Sequence, residues 1–311
     1  MSRKTSRKNT GRLTWRRLLG GLLAACLLLL LTVAVRQGAV QNLLRDLLPE
    51  GLLPTPVAHQ AGFSLHMLDV GQGQALLLAC GGQTALIDTG LPSTADEVVA
   101  YLHKQGVDEL DYVFVTHPHS DHCGGAKKVL EQVGAQVLVI PEYLSREAAL
   151  TTAGDWVGST DTPIDITAAG REYALGEAVI TVLHPAAGNG IEDMNDLSLV
   201  LKVTYGGKRF LFTGDITEAV EETLLPLGHI DVLQVPHHGS YTSSSAAFLE
   251  DLSPDYALIS CGLNNDYGHP HGSTLSRLES IGAEIYRTDL QGTLVVRVVE
   301  GQISIQTENK S

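Results

Sequence analysis

Ten residues hold the densest chemistry in the chain: Thr116-His117-Pro118-His119-Ser120-Asp121-His122-Cys123-Gly124-Gly125. His117, His119, Asp121 and His122 put four side chains of metal-binding type within six positions. If strand geometry persists, His117 and His119 point to one side. The Asp121-His122 pair then turns toward a second point in space. One metal ion could take the first two histidines and another the Asp-His pair. Neutral imidazoles with carboxylates suit zinc, with manganese or iron as further possibilities. Two metals about 3.5–4 Å apart can share a hydroxide and stabilise both the attacking and the leaving oxygen.

Further candidates lie downstream: His184, Asp215, the pair His237-His238, and His269 with His271. Each ends an expected strand or sits in the loop after one, where a rigid sheet can bring distant side chains together. Eight of the twelve histidines fall in these motifs. His59, His66, His103 and His229 read as ordinary linker, strand or surface residues. A bridging carboxylate needs two open oxygens, and Asp215, after Thr213-Gly214, is the candidate.

The elements that position these residues are legible from the pattern. The strand-like run Asp111 to Val115 leads into the ligand loop, and a helical pattern, Ala126 to Val133, leads out. Pro118 argues against a helix through the histidines. Phe63 to Asp69, Ala75 to Ala79 and Thr84 to Asp88 read as strands, with Gly81-Gly82 as a hairpin turn. Ser93 or Thr94 caps a helix ending at Gly106. Residues 141 to 162 show no clear period and read as a surface insertion. Short strands are expected around Gly176. Leu199 to Asp215 then echoes Leu76 to Gly90: apolar strand, Gly-Gly turn, apolar strand, polar loop. Two half-domains of similar plan are implied, each giving a sheet, and the sheets would pack face to face. After Asp215, helices and strands alternate, which implies sheets covered by helices on their outer faces.

Composition agrees with a globular catalytic body: 44% of the 311 residues are hydrophobic and 18% charged. The net charge is −14, but residues 1–17 hold seven Lys/Arg and no acid, which leaves −21 on the rest. An uncharged apolar run at 18–35 follows, long enough as a helix to span roughly 27 Å. The basic side faces the cytoplasm under the positive-inside rule, placing the body outside. The expected organisation is a basic cytoplasmic tail at 1–17, a transmembrane anchor at 18–35, a linker at 36–60 and one large folded domain at 61–307. A secreted form after signal cleavage is the competing reading. Leu23-Ala24-Ala25-Cys26 mimics a lipidation box, but the apolar run continues past it. Cys26, Cys80, Cys123 and Cys261 show no CxxC spacing, so neither a zinc ribbon nor a disulfide framework is indicated.

The stretches Leu68-Asp-Val-Gly-Gln-Gly-Gln74, Ile87-Asp-Thr-Gly90, His117 to His122, Asn195 to Asp215, Val235-Pro-His-His-Gly-Ser240 and Tyr267-Gly-His-Pro270 resemble the metallo-β-lactamase superfamily. Within it they look like the extracellular hydrolase domain of ComEC-type competence proteins, over roughly residues 63 to 300. The resemblance implies an α/β, four-layer αββα sandwich. It also implies two divalent metals, zinc or manganese: His117, His119 and His184 on one, Asp121, His122 and His269 on the other, Asp215 bridging. His238 would face the scissile phosphate with His237 beside it. His271 is the alternative to His269. Asp88 is either a carboxylate orienting a ligand histidine or a cap, Asp69 could act likewise, and Asn195 has either a loop-holding or a turn role.

The activity implied is hydrolysis of phosphodiesters through a metal-bound hydroxide, as a phosphodiesterase or nuclease. The substrate would be single-stranded DNA or a smaller ester such as a phosphorylcholine ester. An acidic body speaks against a broad nucleic-acid interface. Hydrolysis of a thioester or β-lactam uses the same metals, and a non-catalytic binding module is the third reading. A single span without a channel gives no ground for a direct role in DNA uptake, and nothing in the sequence points to a protein partner.

Overall fold

The computed structural model describes residues 61–147, 160–187 and 193–308. The expected tail at 1–17, anchor at 18–35 and linker at 36–60 lie outside the described residues. Among the described residues no helix is long and apolar enough to cross a membrane.

Two mixed sheets form the body. The first has eight strands, β1 (Phe63–Met67), β2 (Leu76–Cys80), β3 (Gln83–Ile87), β4 (Leu110–Phe114), β5 (Ala135–Pro141), β6 (Ile164–Thr167), β14 (Leu294–Val299) and β15 (Gln302–Thr307), in the order β15-β14-β1-β2-β3-β4-β5-β6. The second has seven, β7 (Glu172–Leu175), β8 (Ala178–His184), β9 (Val200–Tyr205), β10 (Lys208–Phe212), β11 (Val232–Gln234), β12 (Tyr256–Ile259) and β13 (Glu284–Arg287), in the order β13-β12-β11-β10-β9-β8-β7.

The inner strands β1, β2, β3, β11 and β12 are buried on both faces because both faces are covered. Along β2, Leu76 and Leu78 enter the core between the sheets, with Phe63, Phe114, Phe210, Phe212 and Leu258. The intervening Leu77 packs outward with Leu86 against Val98, Leu102 and Val129. Those last three lie on the helices α1 (Ala95–Lys104) and α3 (Ala126–Gln132), which cover the first sheet; α2 (Ser120–Cys123) lies between them in sequence. One more helix, α4 (Glu142–Glu147), follows β5. On the other side α5 (Glu218–Leu224), α6 (Ala246–Leu252) and α7 (Gly272–Ser280) cover the second sheet, burying Phe248, Leu249 and Leu278 against Leu211, Leu233 and Ile259. A last short helix, α8, is Thr288–Gln291. The four layers are those of the αββα sandwich.

The internal echo is real in the topology. Hairpins β2–β3 and β9–β10 are antiparallel, and each second strand then pairs in parallel with the next strand, β3 with β4 and β10 with β11. Both tight turns use glycine pairs at positive φ, 59° and 88° at Gly81-Gly82, 56° and 78° at Gly206-Gly207. That is the geometry of a type I′ hairpin, which other residues enter only with strain. Ser245 caps α6 by accepting from the Phe248 N–H.

Two expectations need adjustment. Pro118 does not keep the whole ligand run out of helix: α2 starts two residues later, carries Asp121 and His122, and has His119 as its N-cap. Proline's fixed φ and missing N–H bar a helix through it, not one just after it. Among the described residues of 141 to 162 is the helix α4, while 148–159 lie outside the described residues.

Candidate metal centre

The ends of β3, β4, β10 and β11 bring the site together. β4 is central in its sheet, and the chain past it stays pinned: Val115 donates to Val139 O, and Leu199 N–H from the other half donates to Thr116 O. His117 therefore emerges fully buried. α2 then turns the chain so that Asp121 and His122 face back toward it. Asp88, at the end of β3 with φ 59°, organises this turn. Its carboxylate accepts from Thr116 N (2.8 Å), from the Thr116 hydroxyl (2.8 and 3.0 Å) and from Gln74 Nε2 (2.9 Å), and meets His122 Nδ1 at 2.7 Å. Of the two roles open to Asp88, the geometry is that of a carboxylate orienting an imidazole.

Asp215 follows β10 and is buried. Its N–H donates to Ser198 Oγ at 3.0 Å, and the same oxygen lies 3.2 Å from His117 Nδ1. Gln234, at the end of β11, accepts from Thr213 N and Gly214 N and so fixes the Thr-Gly step before Asp215. His237 and His238 sit on the turn Pro236–Gly239 with φ of 52° and 55°. His238 is buried, with Nδ1–H donating to Ser260 O at 2.8 Å. His237 is on the cleft wall, with Nδ1 3.3 Å from Thr242 Oγ1 and Nε2 3.7 Å from Asp215 Oδ2.

Two groups result whose ligand atoms converge: His117, His122 and Asp215, and Asp121, His122 and His238. His122 Nε2 is 3.2 Å from His238 Nε2 and 3.2 Å from Asp215 Oδ1, while His238 Nε2 is 3.4 Å from Asp121 Oδ2. His117 Nε2 meets His119 Nδ1 at 3.1 Å and Asp215 Oδ2 at 3.9 Å. This arrangement fits cations. The Nδ1–H groups of His122 and His238 are committed to Asp88 and Ser260, so their Nε2 lone pairs confront each other beside two carboxylates. A proton or a metal ion must stand between them. Asp215 Oδ1 is buried, with His122 Nε2 at 3.2 Å and no other polar partner, an oxygen facing the middle of the donor set.

The electrostatics agree. Burial alone would lower the pKa of His122, but the Asp215 and Asp88 carboxylates outweigh it and raise it well above the ordinary value. Burial likewise opposes the charge on Asp215, yet His122 and His238 hold its pKa well below the usual carboxylate range. The centre draws positive charge into a buried place, as a cation site must.

The remaining expected residues are placed as follows. His184 donates Nε2–H to Asp196 O at 2.8 Å, so Nδ1 is the nitrogen it has for a ligand role. His269 is half-buried on the cleft wall with Nδ1 3.3 Å from Gln72 Nε2; burial and the neighbouring histidines push its pKa down to about 4. It is in neither of the two groups at this centre, and His238 is in the second. His271 is the N-cap residue of α7 and packs edge-on against Tyr241. Asp69 accepts from Gly71 N–H in a turn. Asn195 lines the cleft with its side-chain oxygen buried and without a hydrogen bond. Sequence reasoning passed over Gln74, Thr116, Ser198, Gln234 and Ser260. Their signal was polar side chains at the ends of apolar strands. An open cleft of about 240 Å³ gives access to the centre.

The sequence profile of the Metallo-beta-lactamase superfamily matches residues 68–263, which includes both converging groups. The chain belongs to the metallo-β-lactamase superfamily. Its described residues carry His/Asp groups suited to divalent metals. Its relatives include ComEC-type competence proteins. It is 31% identical over 252 residues to ComE operon protein 3 of Bacillus subtilis, covering 74% of this chain and 32% of that one. It is 32% identical over 303 residues to competence protein ComA of Neisseria gonorrhoeae, covering 91% and 40%. With recombination protein 2 of Haemophilus influenzae the identity is 33% over 246 residues, covering 77% and 29%. The chain thus spans about a third of the length of these relatives. Among solved structures, CmlA, a diiron β-hydroxylase from Streptomyces venezuelae, matches with TM-score 0.53 at 14% identity over 77% of this chain and 55% of that one. Igni18, a metallo hydrolase from Ignicoccus hospitalis, matches with TM-score 0.51 at 15% identity over 76% of this chain and all of its own. These likenesses speak for the fold.

Proposed function

We propose that the chain is a two-metal phosphodiesterase acting outside the cytoplasmic membrane, held there by the apolar segment at 18–35. The observation that carries the reading is the pair of converging groups sharing His122, opened to a cleft whose wall presents His237. His117, His119, Asp215 and, through Nδ1, His184 would hold one ion. Asp121, His122 and His238 would hold the second, with Asp215 between the two. Zinc suits this donor set best and manganese next. Bound there, the ions supply Lewis acidity toward phosphoryl oxygens and lower the pKa of water.

The chain's own residues do the rest. Asp88 and Ser260 fix the tautomers of His122 and His238, so that Nε2 of each is turned to the centre. His237 takes the substrate-facing part that the family resemblance gave to His238. Burial keeps its pKa below the ordinary value, so it is neutral at pH 7. With Nδ1 beside the Thr242 hydroxyl, its Nε2–H is the donor available to a non-bridging phosphoryl oxygen or a leaving oxygen. The names of the relatives, competence and recombination proteins, support a nucleic-acid substrate, single-stranded DNA first. Asp121→Ala should abolish turnover of a chromogenic phosphodiester by the metal-loaded chain. Full activity in that variant would sink the two-metal assignment.

A further inference from the structure

All five phenylalanines are buried, and among the described residues only two Phe, Tyr or Trp side chains are exposed: Tyr241 at 62% and Tyr267 at 67%. Both are tied to the cleft. Tyr267 lines it together with Asp121, Asp215 and His237. Its ring lies 5.6 Å from that of His269 with the planes 19° apart, and His269 lies 6.1 Å from His238 at 24°. Three nearly parallel rings therefore step from the buried centre to solvent. On the other flank His269 meets His271 at 5.0 Å, and His271 meets Tyr241 at 4.9 Å.

The loop that carries Tyr267 is fixed in place. Asn265 Oδ1 accepts from the N–H groups of Tyr267 (3.2 Å) and His269 (3.0 Å), and Asn265 Nδ2 donates to the carbonyls of Gly262 (2.9 Å) and His269 (2.6 Å). One face of the Tyr267 ring is backed by His269 and the other is open. A platform ordered in advance loses little freedom when a flat partner settles on it. A quaternary ammonium group favours several aromatic faces around one point, and a single open face offers no such cage. A nucleobase needs only one face.

Charge favours the same occupant. With −21 outside residues 1–17, affinity for a polyanion has little basic surface to rest on. Stacking needs no positive charge and contributes about 1–3 kcal/mol per base.

We propose that Tyr267, backed by His269, is a stacking platform for a nucleobase of a single-stranded oligonucleotide whose neighbouring phosphodiester lies at the metal centre. The proposal rests on the phosphodiester reading above and names its substrate class. It is tested by fluorescence anisotropy on the full-length, zinc-loaded chain. The probes are a short labelled phosphorothioate oligothymidylate and an abasic strand of the same length and linkage. The base-bearing strand should bind about 5- to 150-fold more tightly, the equivalent of one stacked base. Tyr267→Ala should bring that ratio close to one, and Tyr267→Phe should keep it. The dependence of log affinity on log salt should be shallower than about −2, since each phosphate contact contributes only about −0.7. Equal binding of the two strands by the wild type, an unchanged ratio in Tyr267→Ala, or no binding of either strand overturns the platform. Turnover of a chromogenic diester is scored separately. Turnover with a ratio of one keeps the catalytic reading and removes the platform. Base-dependent binding without turnover does the reverse.

Discussion

His237 and His238 are identical side chains on adjacent residues, and their backbones share the left-handed region with φ of 52° and 55°. For non-glycine residues this costs roughly 1–2 kcal/mol each. The turn is held by His237 N–H on Gly214 O, by His271 N–H on Gly239 O and by His238 on Ser260. The resulting geometry separates the two imidazoles, one inward and one on the cleft wall. His238→Ala should lose one metal ion per chain with its activity. His237→Ala should keep the metal content while kcat falls by about 10²–10⁴. Elemental analysis beside steady-state kinetics distinguishes them, and metal loss in His237→Ala would exchange the two roles. The ligand types of the site were all legible in the sequence. Which of two adjacent histidines turns inward was not, because three tertiary hydrogen bonds decide it. His269 lies on the cleft wall beside Gln72.

At the level of elements, most strands were legible as apolar runs that end in polar residues the fold then uses; the half-exposed β6, Ile164–Thr167, was not. The short helix α2 was not, since four residues carry no period and Pro118 obscured the start. What makes that turn possible is space. A Cβ at Gly125 would lie 2.3 Å from Thr89 O, where backbone cannot yield cheaply. Gly125→Ala should therefore destabilise by about 1–3 kcal/mol, read as a lower thermal midpoint together with weaker metal retention. A normal midpoint would show that α2 can shift. His66 on β1 gives a second test. It is buried, 2.7 Å from the Tyr101 hydroxyl, with Nε2 lacking a partner. Burial first, then the Arg297 charge, lowers its pKa from 6.5 to about 4. The unfolded chain takes up a proton below pH 6.5 while the folded chain does not, so stability falls as pH drops through this window. The loss should reach about 2 kcal/mol by pH 5 from this residue alone. In His66→Phe, denaturant midpoints at pH 7 and pH 5 should differ by that much less. An unchanged difference would mean that His66 is protonated in the fold.

On the scale of the whole molecule, the centre is a tie between halves. His117, Asp121 and His122 come from the first sheet's loops, Asp215 and His238 from the second's. A cation bound to both stabilises the folded state by mass action, about 2.7 kcal/mol at a hundred times its dissociation constant. Chelation should therefore lower the melting temperature by roughly 5–10 °C, recovered on adding zinc. A midpoint indifferent to chelator would leave the converging groups without their ion. The two-sheet plan was visible in the echo between Leu76–Gly90 and Leu199–Asp215. What lay between the motifs, the network of Gln74, Ser198, Gln234 and Ser260, was not, because a lone polar residue at a strand end has no spacing to betray it. The tie also has a sequence in time. His122 and His238 stand 116 residues apart, so a ribosome makes the first ligands long before the last. A chain stopped between α2 and β8 would own four of these side chains, His117, His119, Asp121 and His122, and one stopped before β11 would still lack His238. On the reading proposed above, the chemistry is thus withheld until eleven of the fifteen described strands have been made.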